Sequence, residues 1–201
     1  LLASSAASDV YKRQDLGLTP EQVTFIPQHE FHIDMTYRPL GNGEFAVPDY
    51  ETGLKILKEL KDELGKQEAE NTNTKPNSMT PLQIKLRKLD NKIKKLEQLA
   101  ADTKNIREEA NDYLEQAGYK VVKIPNFTVN DVDTTNFMNG IGGTSAKTGQ
   151  TFYITNKAEY PELEPIITKY FNDAGIDKVY FVSTRKALSA QGGIDCLTQE
   201  K

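Results

Sequence analysis

Ala117-Gly118-Tyr119-Lys120-Val121-Val122-Lys123-Ile124 and Ala174-Gly175-Ile176-Asp177-Lys178-Val179-Tyr180-Phe181-Val182 are the stretches that decide the fold. Each starts with an Ala-Gly pair that stops a helical pattern, because glycine adopts the left-handed conformation at a helix C-terminus without steric cost. Each runs on into a Val-rich segment that reads as a strand. Two matching stop-and-strand signatures predict an internal repeat.

Outward from the first, residues 30–40 alternate like a strand, Gly41-Asn42-Gly43 supplies Asn-Gly hairpin chemistry, and residues 44–48 return as a second strand. A helical region follows, and the strand at 120–124 is closed by Pro125. Outward from the second, Asn136-Phe137-Met138-Asn139-Gly140-Ile141 opens a strand and Thr151-Phe152-Tyr153-Ile154-Thr155 returns. Pro161 then opens a helix with the apolar stripe Leu163, Ile166, Ile167, Tyr170 and Phe171. Both units read strand-strand-helix-strand, an α/β class, and residues 193–198 read as one further strand.

The first unit carries an insertion at about residues 52–117. Leu54, Ile56, Leu57, Leu60 and Leu64 mark one helix, and a polar segment at 67–78 interrupts it. Thr80 is placed to cap a second helix, with Pro81 in its first turn. Leu82, Leu86, Leu89, Ile93 and Leu96 are spaced four, three, four, three, the seam of a coiled coil. The expectation is an antiparallel helical hairpin that extends outward from the unit, as a solvated decoration or as a docking site for a partner.

Residues 1–14 stand apart. Asp9-Val10-Tyr11-Lys12-Arg13-Gln14 reads as the in-frame translation of a transposon end used in sequencing libraries, so this stretch is set aside as a scar. On this reading the natural protein begins upstream, and residues 15–201 are its later part. With 37% hydrophobic and 27% charged residues there is material for a core, with part of the chain solvated. A net charge of −4 predicts no nucleic-acid partner. No apolar run is long enough to span a membrane. One cysteine precludes an intrachain disulfide and fits a reducing, cytoplasmic compartment. One cysteine and two histidines argue against a Cys/His zinc site, and neither a metal nor an organic cofactor is expected.

That cysteine, Cys196, follows Gly192-Gly193-Ile194-Asp195, while His32-Ile33-Asp34 lies far upstream. A lone thiol in a glycine-led segment, with a distant imidazole and carboxylate, fits a nucleophile, a general acid/base and a substrate-binding group. The competing reading is a buried Cys acting as a small apolar residue. On a strand, His32 and Asp34 emerge on one face. Aligning the repeats sets His32 against Asn136, so His32, Asn136 and Cys196 are expected to converge on one pocket. The alternative for Asn136 is a turn residue bonding its own backbone. His29, three residues from His32, falls on the opposite strand face and is expected to have a structural or surface role.

His32-Ile33-Asp34 with the terminal Gly192-Gly193-Ile194-Asp195-Cys196-Leu197-Thr198 resembles the guanidine-modifying enzymes of the pentein fold: agmatine, arginine and protein-arginine deiminases, and the amidinotransferases. The resemblance runs from about Val23 to Gln199, and Asp195 stands where many agmatine deiminase-like members have His. It implies a partial pentein, an α/β propeller of ββαβ units, with the helical hairpin inserted. It implies a Cys196 thiolate attacking a guanidinium carbon, His32 moving protons, and Asp34 gripping the guanidinium. Asn136, Gly192 and Gly193 would line the substrate site. The substrate would be a small guanidino compound or a peptidyl-arginine, and a homo-oligomer remains open. The pentein ring also occurs in a ribosome-binding translation factor without thiol chemistry, which keeps an interaction role as the alternative. The resemblance further calls for an upstream unit carrying another carboxylate, so this chain is expected to be the C-terminal part of a ring and inactive alone.

Overall fold

The computed structural model describes residues 17–19, 22–23, 25–27, 29, 33–70, 79–129 and 135–184. It is a mixed α/β arrangement containing two three-stranded sheets. In the first unit, β1 (Arg38–Gly41) runs antiparallel to β2 (Glu44–Asp49), with Arg38 opposite Ala46 and Gly41 opposite Glu44. The turn between them has positive φ at Asn42 (51°) and Gly43 (74°), the backbone of a type I′ hairpin. Helices α1 (Tyr50–Glu70) and α2 (Pro81–Gln116) follow. β3 (Lys120–Pro125) then lies parallel to β2, with Ala46 opposite Val122.

The second unit repeats this topology. β4 (Gly140–Thr144) is antiparallel to β5 (Thr151–Asn156), α3 spans Leu163–Asp173, and β6 (Lys178–Val182) is parallel to β5. The helices that precede β3 and β6 end alike. Tyr119 N–H donates to Leu114 O and Gly118 N–H to Glu115 O; Ile176 N–H donates to Phe171 O and Gly175 N–H to Asn172 O. Both are Schellman ends, with Gly118 (φ 87°) and Gly175 (φ 84°) in the left-handed region. The Ala-Gly pairs therefore mark equivalent points of the two units.

Two helix starts follow from local chemistry. The Asp49 carboxylate accepts from Thr52 N–H at 2.8 Å and from the Thr52 hydroxyl at 2.7 Å, satisfying donors in the first turn of α1. At α2, Thr80 Oγ1 accepts from Gln83 N–H at 3.0 Å while Gln83 Oε1 accepts from Thr80 N–H at 3.1 Å, a complete capping box.

The hairpin is antiparallel, as the pairs Glu51–Arg107, Lys58–Glu97, Lys61–Asp90 and Glu68–Thr80 show. It is not the outward decoration expected from the sequence. Leu57, Leu64, Leu89, Ile93 and Leu96 belong to one core with Phe127, Phe137, Tyr153, Leu163 and Phe171. Lys85 pairs with Glu162 at 2.6 Å and sits 5.5 Å from the Tyr160 ring centre, and Lys88 pairs with Glu159 at 3.6 Å. The apolar seam thus belongs to the core shared with the second unit, and the charges outside it pair with that unit's surface.

The strand expected over residues 30–40 is also corrected. Ile33–Met35 is a 3-10 turn, and β1 starts only at Arg38. Thr36 and Tyr37 N–H both donate to Ile33 O, at 3.0 and 2.9 Å, and Met35, Thr36 and Tyr37 are all buried in succession. The alternation read from the sequence therefore does not reflect a half-buried strand here. Asp34 lies on a turn, so a two-residue strand spacing does not set its direction.

Candidate functional site

The two units meet turn against turn. In the first, Ile33–Met35 presents the Asp34 carboxylate and the Met35 carbonyl. In the second, residues 136–139 form the turn before β4, which begins at Gly140 rather than at Asn136. Asn136 Oδ1 accepts from Met138 N–H at 2.9 Å and Asn139 N–H at 3.0 Å, the self-bonded turn that asparagine favours. Asn136 Nδ2 donates across the junction to Met35 O at 3.1 Å. Asn139 Nδ2 donates to Asp34 Oδ2 at 2.6 Å.

β5 secures the turn from beneath. Every carbonyl from residue 136 to 139 accepts a side-chain hydrogen bond from it: Asn156 Nδ2 donates to Asn136 O, Thr155 Oγ1 to Phe137 O at 2.9 Å, Tyr153 O–H to Met138 O, and Asn156 Nδ2 to Asn139 O at 3.3 Å. Asn156 is itself oriented by the Thr184 hydroxyl. Asn136, Asn139, Thr155 and Asn156 are each 0% exposed, so these bonds are made away from water. Gly140 allows the close approach: a Cβ there would come within 2.5 Å of Ile154 O and 2.7 Å of the Tyr153 ring. On the hairpin side, the buried Lys92 ammonium donates to the Thr135 hydroxyl, which in turn reaches Phe127 O at 3.3 Å.

A second polar cluster lies nearby in sequence. His29 Nε2 is 3.3 Å from the Tyr50 hydroxyl, and its ring meets Tyr37 and Tyr50 edge-on. Arg107, 6% exposed, stacks over Tyr50 and is bound by Glu51, Thr103 and the Ala100 carbonyl. Burial, and then the Arg107 charge, push the His29 pKa down to about 4. Burial pushes the Glu51 carboxyl up, but the Arg107 hydrogen bond, with further hydrogen-bonding and charge effects, outweighs it and holds the group below the usual carboxylate range. This histidine is held neutral at physiological pH by its packing, in keeping with a structural role.

Of the residues singled out in the sequence, Asp34 and Asn136 are brought to one junction, where Asn136 lies three residues before the Asn139 that bonds Asp34. Asn136 is fully engaged in holding the turn and the Met35 carbonyl, which is the turn role weighed for it above. His32, Cys196, Gly192 and Gly193 lie outside the described residues. Asn139, Asn156 and Lys92 were not singled out; the spacing Asn136-x-x-Asn139-Gly140 was the available signal, but it reads equally as an exposed loop. Among the described residues, no group of three or more His, Cys, Asp or Glu side chains is placed to hold a metal ion, and no helix is long and apolar enough to cross a membrane.

No family model matches the chain, and the searches of curated proteins and of solved structures return no significant match.

Proposed function

We propose that the chain is part of a guanidino-group hydrolase of pentein type, with Cys196 as nucleophile, His32 as general acid and base, and Asp34 as the carboxylate that grips the substrate guanidinium. The observation that supports this most is the meeting of two ββαβ units at Asp34, a turn carboxylate held by the neighbouring unit's Asn139. A repeat whose units join at such turns gathers side chains from distant parts of the sequence at a common junction. Gly192 and Gly193 would let backbone approach the substrate beside the thiol.

In this reading the Cys196 thiolate adds to the amidino carbon. His32 gives a proton to one nitrogen, the C–N bond breaks and ammonia leaves, with a thiouronium on sulfur. His32 then takes a proton from water as its oxygen attacks, the C–S bond breaks, and a ureido product departs with the thiolate restored. An amine in place of water would make the same site an amidinotransferase. A free thiol has a pKa of about 8.5, so the bound cation or an imidazolium would be needed to hold the thiolate at neutral pH.

The test is ammonia release from agmatine, arginine and a peptidyl-arginine by the full-length protein, with mass spectrometry of the stalled intermediate. Cys196→Ala should abolish release and remove the adduct, and His32→Ala or Asp34→Ala should cost several orders of magnitude. Near wild-type turnover by Cys196→Ala overturns the assignment. Transfer of a labelled amidino group to an added amine would select the amidinotransferase reading instead.

A further inference from the structure

We propose that Asn139 is a positioning residue for Asp34, a role that rests on the reading of Asp34 as the guanidinium-binding carboxylate. Asn139 is 0% exposed and donates to Asp34 Oδ2 at 2.6 Å. Its backbone N–H is held by Asn136 Oδ1 and its carbonyl by Asn156 Nδ2, so the residue that orients Asp34 is itself fixed at both ends. A bidentate grip on a planar guanidinium requires the carboxylate plane to be set, and one anchored oxygen sets it. The chemistry of the donor matters as much as its place. A lysine or arginine at position 139 would also orient the carboxylate but would cancel the negative charge that attracts a cation. A neutral amide orients without neutralising. The buried Lys92 ammonium donates to the Thr135 hydroxyl on the approach to the turn.

The contact joins two units at residues 105 positions apart, so it also makes Asp34 in the first unit dependent on the fold of the second. The first unit alone would lack this donor to Asp34.

The experiment uses the full-length protein and the near-isosteric Asn139→Asp, which replaces the donor with an acceptor. Loss of a hydrogen bond to a charged group predicts a fall of about tenfold to a hundredfold in kcat/KM for a guanidino substrate, with KM rising at least as much as kcat falls. Asn139→Ser, which keeps a shorter donor, should recover part of that loss. The side-chain amide resonance of Asn139 should also move on Asp34→Asn, which reports the contact in solution, while the fall in kcat/KM of the folded variant is what a purely structural asparagine would not give. A folded Asn139→Asp with kcat/KM within twofold of wild type, or an Asn139 amide indifferent to Asp34→Asn, overturns the inference. Wild-type turnover lost in Asp34→Ala but kept in Asn139→Asp overturns this role alone. Absence of both ammonia release and amidino transfer by the wild type overturns the reading of Asp34 as the guanidinium-binding carboxylate, and this role with it.

Discussion

Gly140 and His29 show how single positions carry specific physical constraints. A methyl group at Gly140 would collide with the Ile154 carbonyl oxygen at 2.5 Å, whereas at Gly142 its nearest neighbour would be 3.6 Å away. Gly140→Ala should therefore cost about 1–3 kcal/mol in urea unfolding, the range for overpacking, and Gly142→Ala should cost markedly less. His29 makes an acid-stability prediction whose sign follows from its lowered pKa. In the unfolded chain the group protonates near 6.5, in the folded chain near 4. Between those values the unfolded state binds more protons, so the contribution is fully present above pH 6.5 and is lost as pH falls towards 4. The Glu51 carboxyl, also lowered, adds a loss in the same direction at lower pH. Thermal unfolding from pH 7 to 4 should show a shallower fall for His29→Gln than for wild type. Parallel curves would mean that His29 is not held neutral in the fold.

The elements divide into those fixed by local chemistry and those fixed by what lies across from them. α2 starts where its capping box says it should, and Thr80→Ala should lower stability by about 1 kcal/mol, while Thr80→Ser should retain most of it. Circular dichroism against urea reads both. The hairpin is of the second kind. Replacing residues 67–102 with a short Gly/Ser linker removes Leu89, Ile93 and Leu96 from the shared core and the Lys85–Glu162 pair from its edge. Each large-to-small loss in such a core costs about 2–5 kcal/mol, so the shortened protein should fail to fold cooperatively. A shortened chain that melts like the wild type would show the hairpin to be dispensable. The sequence made the hairpin, its cap and its apolar stripe visible, because those are local. It did not say what the stripe packs against, since an amphipathic pattern reports that a face is buried and not by which neighbour.

At the scale of the whole molecule, one core runs through the hairpin and the second unit, while polar turns lock the two units together. Wild-type unfolding should be a single transition, with far-UV dichroism and tyrosine fluorescence coinciding. Asn136→Ala leaves the Met35 carbonyl and the Met138 and Asn139 N–H groups without their partner, at about 1–3 kcal/mol for each buried group. It should lower the midpoint and separate the two probes; an unchanged single transition would mean that the junction does not couple the units. The repeat was legible from two Ala-Gly stops and an Asn-Gly hairpin because each depends on a few adjacent residues. The junction was not, because the burial of Asn139 and Asn156 depends on partners in other elements, and the short turn at Ile33–Met35 leaves no periodic trace. The junction also treats its two sides differently. Asn136 binds mainly the backbone carbonyl of Met35 at 3.1 Å, a group every amino acid possesses, with the Met35 sulfur a weak second acceptor at 3.5 Å, whereas Asn139 binds the side chain of Asp34. Position 35 can thus drift among apolar residues of similar size without breaking this link, while positions 34 and 139 can change only together. Selection acting on this protein would leave a paired signature at those two sites and a looser one beside them.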